Sequence, residues 1–227
     1  MKFDYAHLGN CASATGVVLV IDVLRAFSTA AYAFEAGAQS ICLVSSVDEA
    51  LRLKSQHPGW LTLGEVAGLP PPGFDFGNSP AQICAQNLAG RHLVQRTSAG
   101  TQGVVLSTRA SVLLATSFVV ASATVRYVMR ISPQELTFVT TGGEKNEEDL
   151  ACAEYLEALF QNRTPDPAPF IRRVYTADDA VCHLDPARPE FPESDLGFCT
   201  DIDRFEFAMP ISREDGRLVL RPVLPGH

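Results

Sequence analysis

The sequence contains no block of basic residues, no long apolar run and no pair of closely spaced cysteines. Its 227 residues include 18 lysines and arginines against 26 aspartates and glutamates, for a formal net charge of −8. Because nucleic acids and anionic membranes are bound by clustered positive charge, this composition argues against both partners. An anionic substrate would have to be attracted by a local site or a bound cation, since the field of the whole protein opposes it.

The cysteine and histidine patterns also argue against several kinds of site. The six cysteines form no CxxC pair, and the five histidines show no HxH or HExxH spacing, so neither a zinc site nor a redox motif is indicated. With 46% hydrophobic residues the chain can build a core without a disulfide framework. The first ten residues lack the apolar stretch of a signal peptide, and no segment reaches transmembrane length. We therefore expect a cytoplasmic protein with reduced thiols.

Residues 16–29, GVVLVIDVLRAFST, predict a buried strand that leads into a turn and a helix. Five consecutive aliphatic residues are typical of a strand covered on both faces. Asp22 ends this run and Arg25 follows it. Ligands of open α/β sheets bind at the carboxyl ends of strands, so this pair suits a metal ion and an anionic substrate. The alternative is that Asp22 only caps the helix and Arg25 forms a surface ion pair.

Strand and helix patterns alternate along the first 162 residues. Helices are predicted over 26–37, 47–56, 79–88, 102–107, 121–129 and 146–161, with further strands over 40–44, 60–63, 92–96, 112–115 and 136–140. This alternation predicts an α/β fold with a mixed, mainly parallel sheet. Residues 1–162 are the expected core that carries the site motifs.

Residues 163–227 have a different character, with two proline-rich breaks. We expect them to form a C-terminal extension or subdomain packed on the core, within one continuous domain. A short helix is predicted over 176–184. Residues 204–210 and 218–223 alternate enough to be late antiparallel strands at an edge of the sheet.

Residues 68–80, GLPPPGFDFGNSP, are too rich in proline and glycine for regular structure. A long loop that holds aromatics and an acid inside a compact domain is usually functional, which directs attention to Asp75 and Asn78. Ser79 and Pro80 predict the start of a helix whose free N–H groups favour phosphate. The alternative is a structural loop in which Asn78 and Ser79 only cap the helix.

A second turn, with Ser98, Gly100 and Thr101 between a strand and a helix, also suits contact with an anion. The signal is weak, because any turn of this kind favours such residues, and the GK[ST] ending of a Walker loop is absent.

Acidic residues mark the start of the helix predicted from residue 146. Glu144, Glu148 and Asp149 follow a Gly-Gly turn, and helical spacing places Glu148 and Asp149 on the inner face while Glu147 points away. Acids in a first turn usually complement the helix dipole. Their position after a strand also suits Mg²⁺, which prefers oxygen ligands.

Residues 182–188, CHLDPAR, match the C-x5-R spacing of cysteine phosphatases. Such a loop must wrap backbone amides around phosphate, and here Asp185 adds a negative charge while Pro186 removes an N–H group. We therefore interpret the match as a coincidence.

The order of these motifs resembles that of the 2-phosphosulfolactate phosphatase family. The resemblance rests on VVLVIDVLRAFST, Gly64-Glu65, GFDFGNSP, RTSAGT and the GG-x(4)-ED-L-A-C-A run, and it spans about residues 17–156. It implies a three-layer α/β/α fold and a Mg²⁺-dependent phosphatase that hydrolyses 2-phosphosulfolactate, a step of coenzyme M biosynthesis. The family usually has T-T-N-G-T where this chain has residues 97–101, TSAGT, so that Ala99 replaces an asparagine and substrate identity is open.

The resemblance and the motifs together give three sets of expected site residues. The catalytic set is Asp22, Arg25 and Asp75. The phosphate-binding set is Asn78, Ser79, Ser98, Gly100 and Thr101, and the Mg²⁺ set is Asp22, Glu65, Glu144, Glu148 and Asp149.

Two other functions remain open at this point. A phosphatase of the haloacid dehalogenase type also places an Asp after its first strand, but it needs a second Asp two residues on, where this chain has Leu24. The other is a module that binds a phosphorylated or sulfonated metabolite without hydrolysing it. A homodimer is plausible.

Overall fold

Nine strands form one sheet in the computed structural model, which describes residues 1–142 and 146–224. The strands are β1 (Lys2–His7), β2 (Gly16–Ile21), β3 (Ser40–Leu43), β4 (Leu61–Gly64), β5 (His92–Arg96), β6 (Ala110–Thr116), β7 (Glu135–Thr140), β8 (Met209–Glu214) and β9 (Arg217–Leu220). Their order across the sheet is β1-β7-β2-β6-β8-β9-β3-β5-β4. The pairs that involve β8 or β9 are antiparallel and the others are parallel, which confirms a mixed, mainly parallel sheet.

The helices include all six that the sequence predicted for residues 1–162. They are α1 (Ala26–Glu35), α2 (Val47–Gln56), α3 (Pro80–Ile83), α4 (Gly100–Leu106), α5 (Ala121–Ile131), α6 (Glu147–Phe160), α7 (Ala168–Thr176) and α8 (Ser194–Thr200). Helix α3 ends five residues before the predicted position, because the chain turns back and the Leu88 N–H donates to the Ala36 carbonyl at 2.9 Å. None of the helices within the described residues is long and apolar enough to cross a membrane.

Helices cover both faces of the sheet. Alternate residues of β2 point to opposite faces, so that Val18 and Val20 pack with α1 and α4, whereas Val17, Leu19 and Ile21 pack with α5 and α6. All five side chains are buried. This two-sided burial explains the continuous aliphatic run and confirms the three-layer α/β/α arrangement.

Strands β8 and β9 lie inside the sheet, so the prediction that the late strands occupy an edge is wrong. Strand β8 pairs with β6 at Met209 and Ala115, and β9 pairs with β3 at Leu220 and Ile41. All four side chains are fully buried. The hairpin joins two parallel groups of strands, and the alternation within each strand does not reveal which neighbours it has.

The sequence patterns missed β1, α7 and α8. Strand β1 pairs in parallel with β7 at one edge of the sheet and has no fully buried residue, so it lacks the apolar run of an interior strand. Residues Asp178–Leu184, within the helix predicted at 176–184, form a 3-10 turn. All six cysteines are free thiols, as expected.

Candidate active site

A cleft with a volume of about 550 Å³ opens at the carboxyl ends of β2, β4 and β5. Five of the expected site residues line it, namely Asp22, Arg25, Glu65, Asn78 and Ser98. The opposite wall is formed by residues 178–191, which we call the covering segment. Ligands of open α/β sheets bind at this end of the strands, so the cleft is the candidate active site.

Asp22 follows β2 and is buried beside the cleft. Its Oδ1 accepts a hydrogen bond from the Ala26 N–H at 2.8 Å, and the Thr141 hydroxyl lies 3.3 Å from Oδ2. Burial, followed by the nearby charges of Asp149 and Glu65, raises the pKa of Asp22 to about 8. A carboxylate with these surroundings favours a bound proton or a cation.

Asp149 at the start of α6 fastens two turns together. Its Oδ1 accepts the Val23 N–H at 2.8 Å, and its Oδ2 accepts the N–H groups of Thr141 at 2.9 Å and Gly142 at 3.3 Å. Burial and the neighbouring Glu148 raise the pKa of Asp149 to about 8. The side chain therefore connects the turn after β2 to the turn after β7.

Glu148 is also buried, and its Oε2 has no hydrogen-bond partner among the described residues. Burial, followed by the charges of Asp179 and Asp22, raises the pKa of Glu148 to about 7. Glu147 is exposed and pairs with Arg173, so the predicted orientations of these acids are confirmed. Glu148 and Asp149 approach Asp22 without lining the cleft. Glu144 lies outside the described residues.

Glu65 follows β4 and connects the β4 and β5 turns. Its Oε1 accepts the Ser98 N–H, and its Oε2 accepts the Gly68 N–H at 2.7 Å and the Ser98 hydroxyl at 3.1 Å. Gly64 makes this possible, because a Cβ at that position would lie 1.9 Å from the Arg96 carbonyl oxygen. The two turns are thus held side by side at one wall of the cleft.

The turn after β5 brings only part of its predicted phosphate-binding set to the cleft. Ser98 lines the cleft. Thr101 is buried in the first turn of α4 and exchanges hydrogen bonds with Thr97 at 2.9 and 3.0 Å, so its hydroxyl is used inside the protein. A Cβ on Gly100 would lie 2.6 Å from Asp22 Oδ2, so glycine allows α4 to start against that carboxylate.

The loop before α3 divides its predicted residues between two places. Asn78 lines the cleft, and its buried Oδ1 has no hydrogen-bond partner among the described residues. Ser79 caps α3 by accepting the Gln82 N–H at 3.2 Å. Asp75 lies outside the cleft, where it pairs with Lys54 at 2.7 Å and accepts hydrogen bonds from the N–H and hydroxyl of Thr62.

Arg25 reaches the cleft with part of its charge already paired. Its Nη1 donates to Asp195 Oδ2 at 2.7 Å and to the Glu190 carbonyl at 3.0 Å. Its guanidinium also lies over the ring of Phe191, 4.5 Å from the centroid. The side chain is buried, so the ion pair with Asp195 is shielded from water.

Asp195 on α8 is a positioning residue that the sequence analysis missed. Besides Arg25, it accepts the Ser79 hydroxyl at 2.7 Å and the Ala81 N–H at 3.0 Å through Oδ1. It therefore links the turn after β2 to the start of α3. It lies in a short helix after a proline-rich stretch, and this context gave no spacing signal that relates Asp195 to residues more than 100 positions earlier.

The covering segment was also missed, although the Cys182 to Arg188 spacing drew attention to it. The Cys182 thiol donates to the Asp179 carbonyl at 2.9 Å, and burial raises its pKa. The Ala187 N–H donates to the Asp185 carboxylate at 2.9 Å instead of facing the cleft. This geometry differs from that of a phosphate-binding cysteine loop, because burial disfavours the Cys182 thiolate and a loop amide is already paired.

One cleft brings together the ends of several strands, buried acids and two arginines. This arrangement is typical of an α/β enzyme that acts on a small anionic substrate. A family model described as 2-phosphosulpholactate phosphatase matches residues 5–213. The chain belongs to the 2-phosphosulfolactate phosphatase family and is a phosphoric monoester hydrolase.

Relatives from three bacteria support this assignment, and each is named a probable 2-phosphosulfolactate phosphatase. The protein of Bacillus subtilis is 32% identical over 202 residues, 88% of either chain. That of Thermus thermophilus is 33% identical over 212 residues, 87% of this chain and 88% of the relative. That of Deinococcus radiodurans is 37% identical over 160 residues, 67% of this chain and 66% of the relative.

Proposed function

We propose that this chain hydrolyses 2-phosphosulfolactate, or a closely related phosphorylated hydroxyacid, to the hydroxyacid and phosphate, and that the reaction requires Mg²⁺. The names of its relatives support the substrate class. The observation that carries the proposal is the buried Asp22 carboxylate at the cleft, which lies close to two further buried acids.

The acids fit a hard divalent cation, although no group of three metal-binding side chains is found within residues 1–142 and 146–224. Glu148 Oε2 is buried without a partner among those residues, and the neighbouring acids disfavour the charge on Asp22. Mg²⁺ needs only one or two protein carboxylates and keeps several waters. Asp22 and Glu148 would therefore hold the ion, whereas Asp149 and Glu65 already accept backbone N–H groups and would support the turns.

The residues of the cleft have distinct roles in this proposal. Bound Mg²⁺ supplies positive charge that stabilises the phosphoryl group in the transition state. The side chains of Asn78 and Ser98 would donate hydrogen bonds to phosphate oxygens, and Arg25 would orient the substrate through nitrogens that Asp195 does not use. Asp22 is the proposed nucleophile if a phosphoenzyme forms. Direct attack by water is the other route.

The test is phosphate release from a panel of phosphorylated hydroxyacids, measured with added Mg²⁺ and after removal of divalent ions with EDTA. We expect release from 2-phosphosulfolactate that stops with EDTA and returns with Mg²⁺. Release that is unaffected by EDTA would overturn the metal requirement. Binding of 2-phosphosulfolactate without phosphate release would overturn the catalytic proposal and favour a binding module.

A further inference from the structure

We propose that Arg188 of the covering segment binds a second acid group of the substrate, the carboxylate or the sulfonate, and so selects substrates that carry more than a phosphate. This inference rests on the proposed function. Arg188 lines the same cleft as Asp22 and Arg25, and it comes from the opposite wall.

The two arginines of the cleft differ in how much of their charge is free. Arg25 forms a buried ion pair with Asp195 at 2.7 Å, and that carboxylate neutralises it. Arg188 contacts Glu190 only through Nε at 3.6 Å, and both side chains are partly exposed, so this pair is weak. Among the described residues the two Nη groups of Arg188 have no acidic partner. The planar guanidinium can therefore donate two parallel hydrogen bonds to a carboxylate or sulfonate.

The charge of the cleft favours a role for Arg188 in binding an anion. Its lining contains more carboxylates than arginines, with Asp22, Glu65, Asp178, Asp179 and Asp185 against Arg25 and Arg188. A cation at Asp22 can serve the phosphate, but 2-phosphosulfolactate also carries a carboxylate and a sulfonate. A guanidinium that is not already neutralised is the group in this lining that can offset that charge.

Phe191 fixes the position of the Arg188 guanidinium. The guanidinium lies over the Phe191 ring, 4.4 Å from the centroid, and Arg25 contacts the same ring. The ring also packs on the backbone of Gly68, where an added Cβ would lie 2.2 Å from the ring edge. A stacked guanidinium loses less freedom on binding than a mobile one, so the site is partly organised before the substrate enters.

The experiment compares Arg188→Ala and Arg188→Lys with Arg204→Ala as a matched control. Arg204 also lies over an aromatic ring, that of Phe205, but it does not line the cleft. Binding of sulfolactate, which has no phosphate, and of inorganic phosphate is measured by calorimetry with Mg²⁺ present. Analogues that lack either the carboxylate or the sulfonate show which group Arg188 contacts.

We expect Arg188→Ala to raise the Kd for sulfolactate roughly 10- to 100-fold and to change the Kd for inorganic phosphate less than about threefold. Arg188→Lys should lose less affinity for sulfolactate, because lysine keeps the positive charge although it lacks the planar guanidinium. The inference would be overturned if Arg188→Ala weakened the binding of both ligands equally or changed the binding of neither. It would also be overturned if the unmodified protein did not bind sulfolactate. Sulfolactate binding that depends on Arg188 in a protein without phosphatase activity would instead overturn only the proposed function.

Discussion

Asp22 and Asp75 were both expected in the catalytic set, but their surroundings differ. Asp22 is buried beside the cleft among like charges. Asp75 is partly exposed and contacts Lys54 and Thr62. Although burial raises it, hydrogen bonds from these two partners lower the pKa of Asp75 below its usual value. Within the described residues Asp22 has no cationic partner, whereas Asp75 is already paired with Lys54.

Asp75→Asn tests this difference through stability and its pH dependence. Because the folded state lowers the pKa of Asp75, the stabilisation is complete above the unfolded value of about 3.9 and is lost as the pH falls through the folded value. We expect the variant to lose about 1 kcal/mol of unfolding free energy at pH 7, and we expect this difference to shrink in urea titrations as the pH falls below the unfolded pKa.

Activity provides the control for the same substitution. We expect kcat/KM to stay within about threefold, since Asp75 does not line the cleft. A loss of roughly 100-fold or more with unchanged stability would show that Asp75 acts in catalysis, as the motif suggested.

The sequence predicted which turns form the candidate site better than it predicted which side chains of those turns face the cleft. Ser98, Gly100 and Thr101 share one motif, yet Ser98 faces the cleft, Gly100 packs against Asp22 and Thr101 forms hydrogen bonds with Thr97. Hydroxyls suit both local hydrogen bonds to the backbone and anion binding, so residue type alone does not separate the two roles. Separating them requires the path of the backbone.

At the scale of elements, the cleft depends on contacts between its two walls. The turns after β2, β4, β5 and β7 are joined by Glu65 and Asp149, and the covering segment meets the loop before α3 through Phe191 and Gly68. Strands β2 and β7 are parallel neighbours, as are β4 and β5, so the turns that follow each pair lie side by side at its carboxyl ends. The position of the covering segment could not be predicted from the sequence, because this segment follows the predicted core and has no periodic pattern.

Gly68→Ala tests the contact between the walls, with Gly216→Ala as the matched control. Both glycines have positive φ, +85° and +77°, but a Cβ meets Phe191 only at Gly68 and meets nothing within 4 Å at Gly216. Each variant should lose about 1 kcal/mol of unfolding free energy from backbone strain, and Gly68→Ala should lose more.

The activities of the two variants should also differ. We expect Gly68→Ala to raise KM at least about fivefold, because Phe191 and the stacked Arg188 are displaced, whereas Gly216→Ala keeps normal kinetics. Equal kinetics for the two variants would contradict a role for the covering segment in the site.

At the scale of the whole molecule, the α/β class follows from alternating patterns, but the strand order does not. The insertion of β8 and β9 between β6 and β3 is fixed by burial of residues such as Met209 and Leu220 against partners nearly 100 or more positions earlier. The net charge of −8 likewise gives no hint of where an anion binds. The two arginines that line the cleft, Arg25 and Arg188, place positive charge locally there.

The most direct measurement is kcat/KM for 2-phosphosulfolactate in Asp22→Asn with saturating Mg²⁺, beside Asp48→Asn, an exposed acid of α2, as the charge control. We predict a loss of roughly 1000-fold or more in Asp22→Asn and no change in the control. The melting temperature of Asp22→Asn should not fall, because the amide keeps the oxygen that accepts the Ala26 N–H and removes a buried negative charge. Activity within about tenfold of the unmodified protein in a folded Asp22→Asn variant would contradict the account.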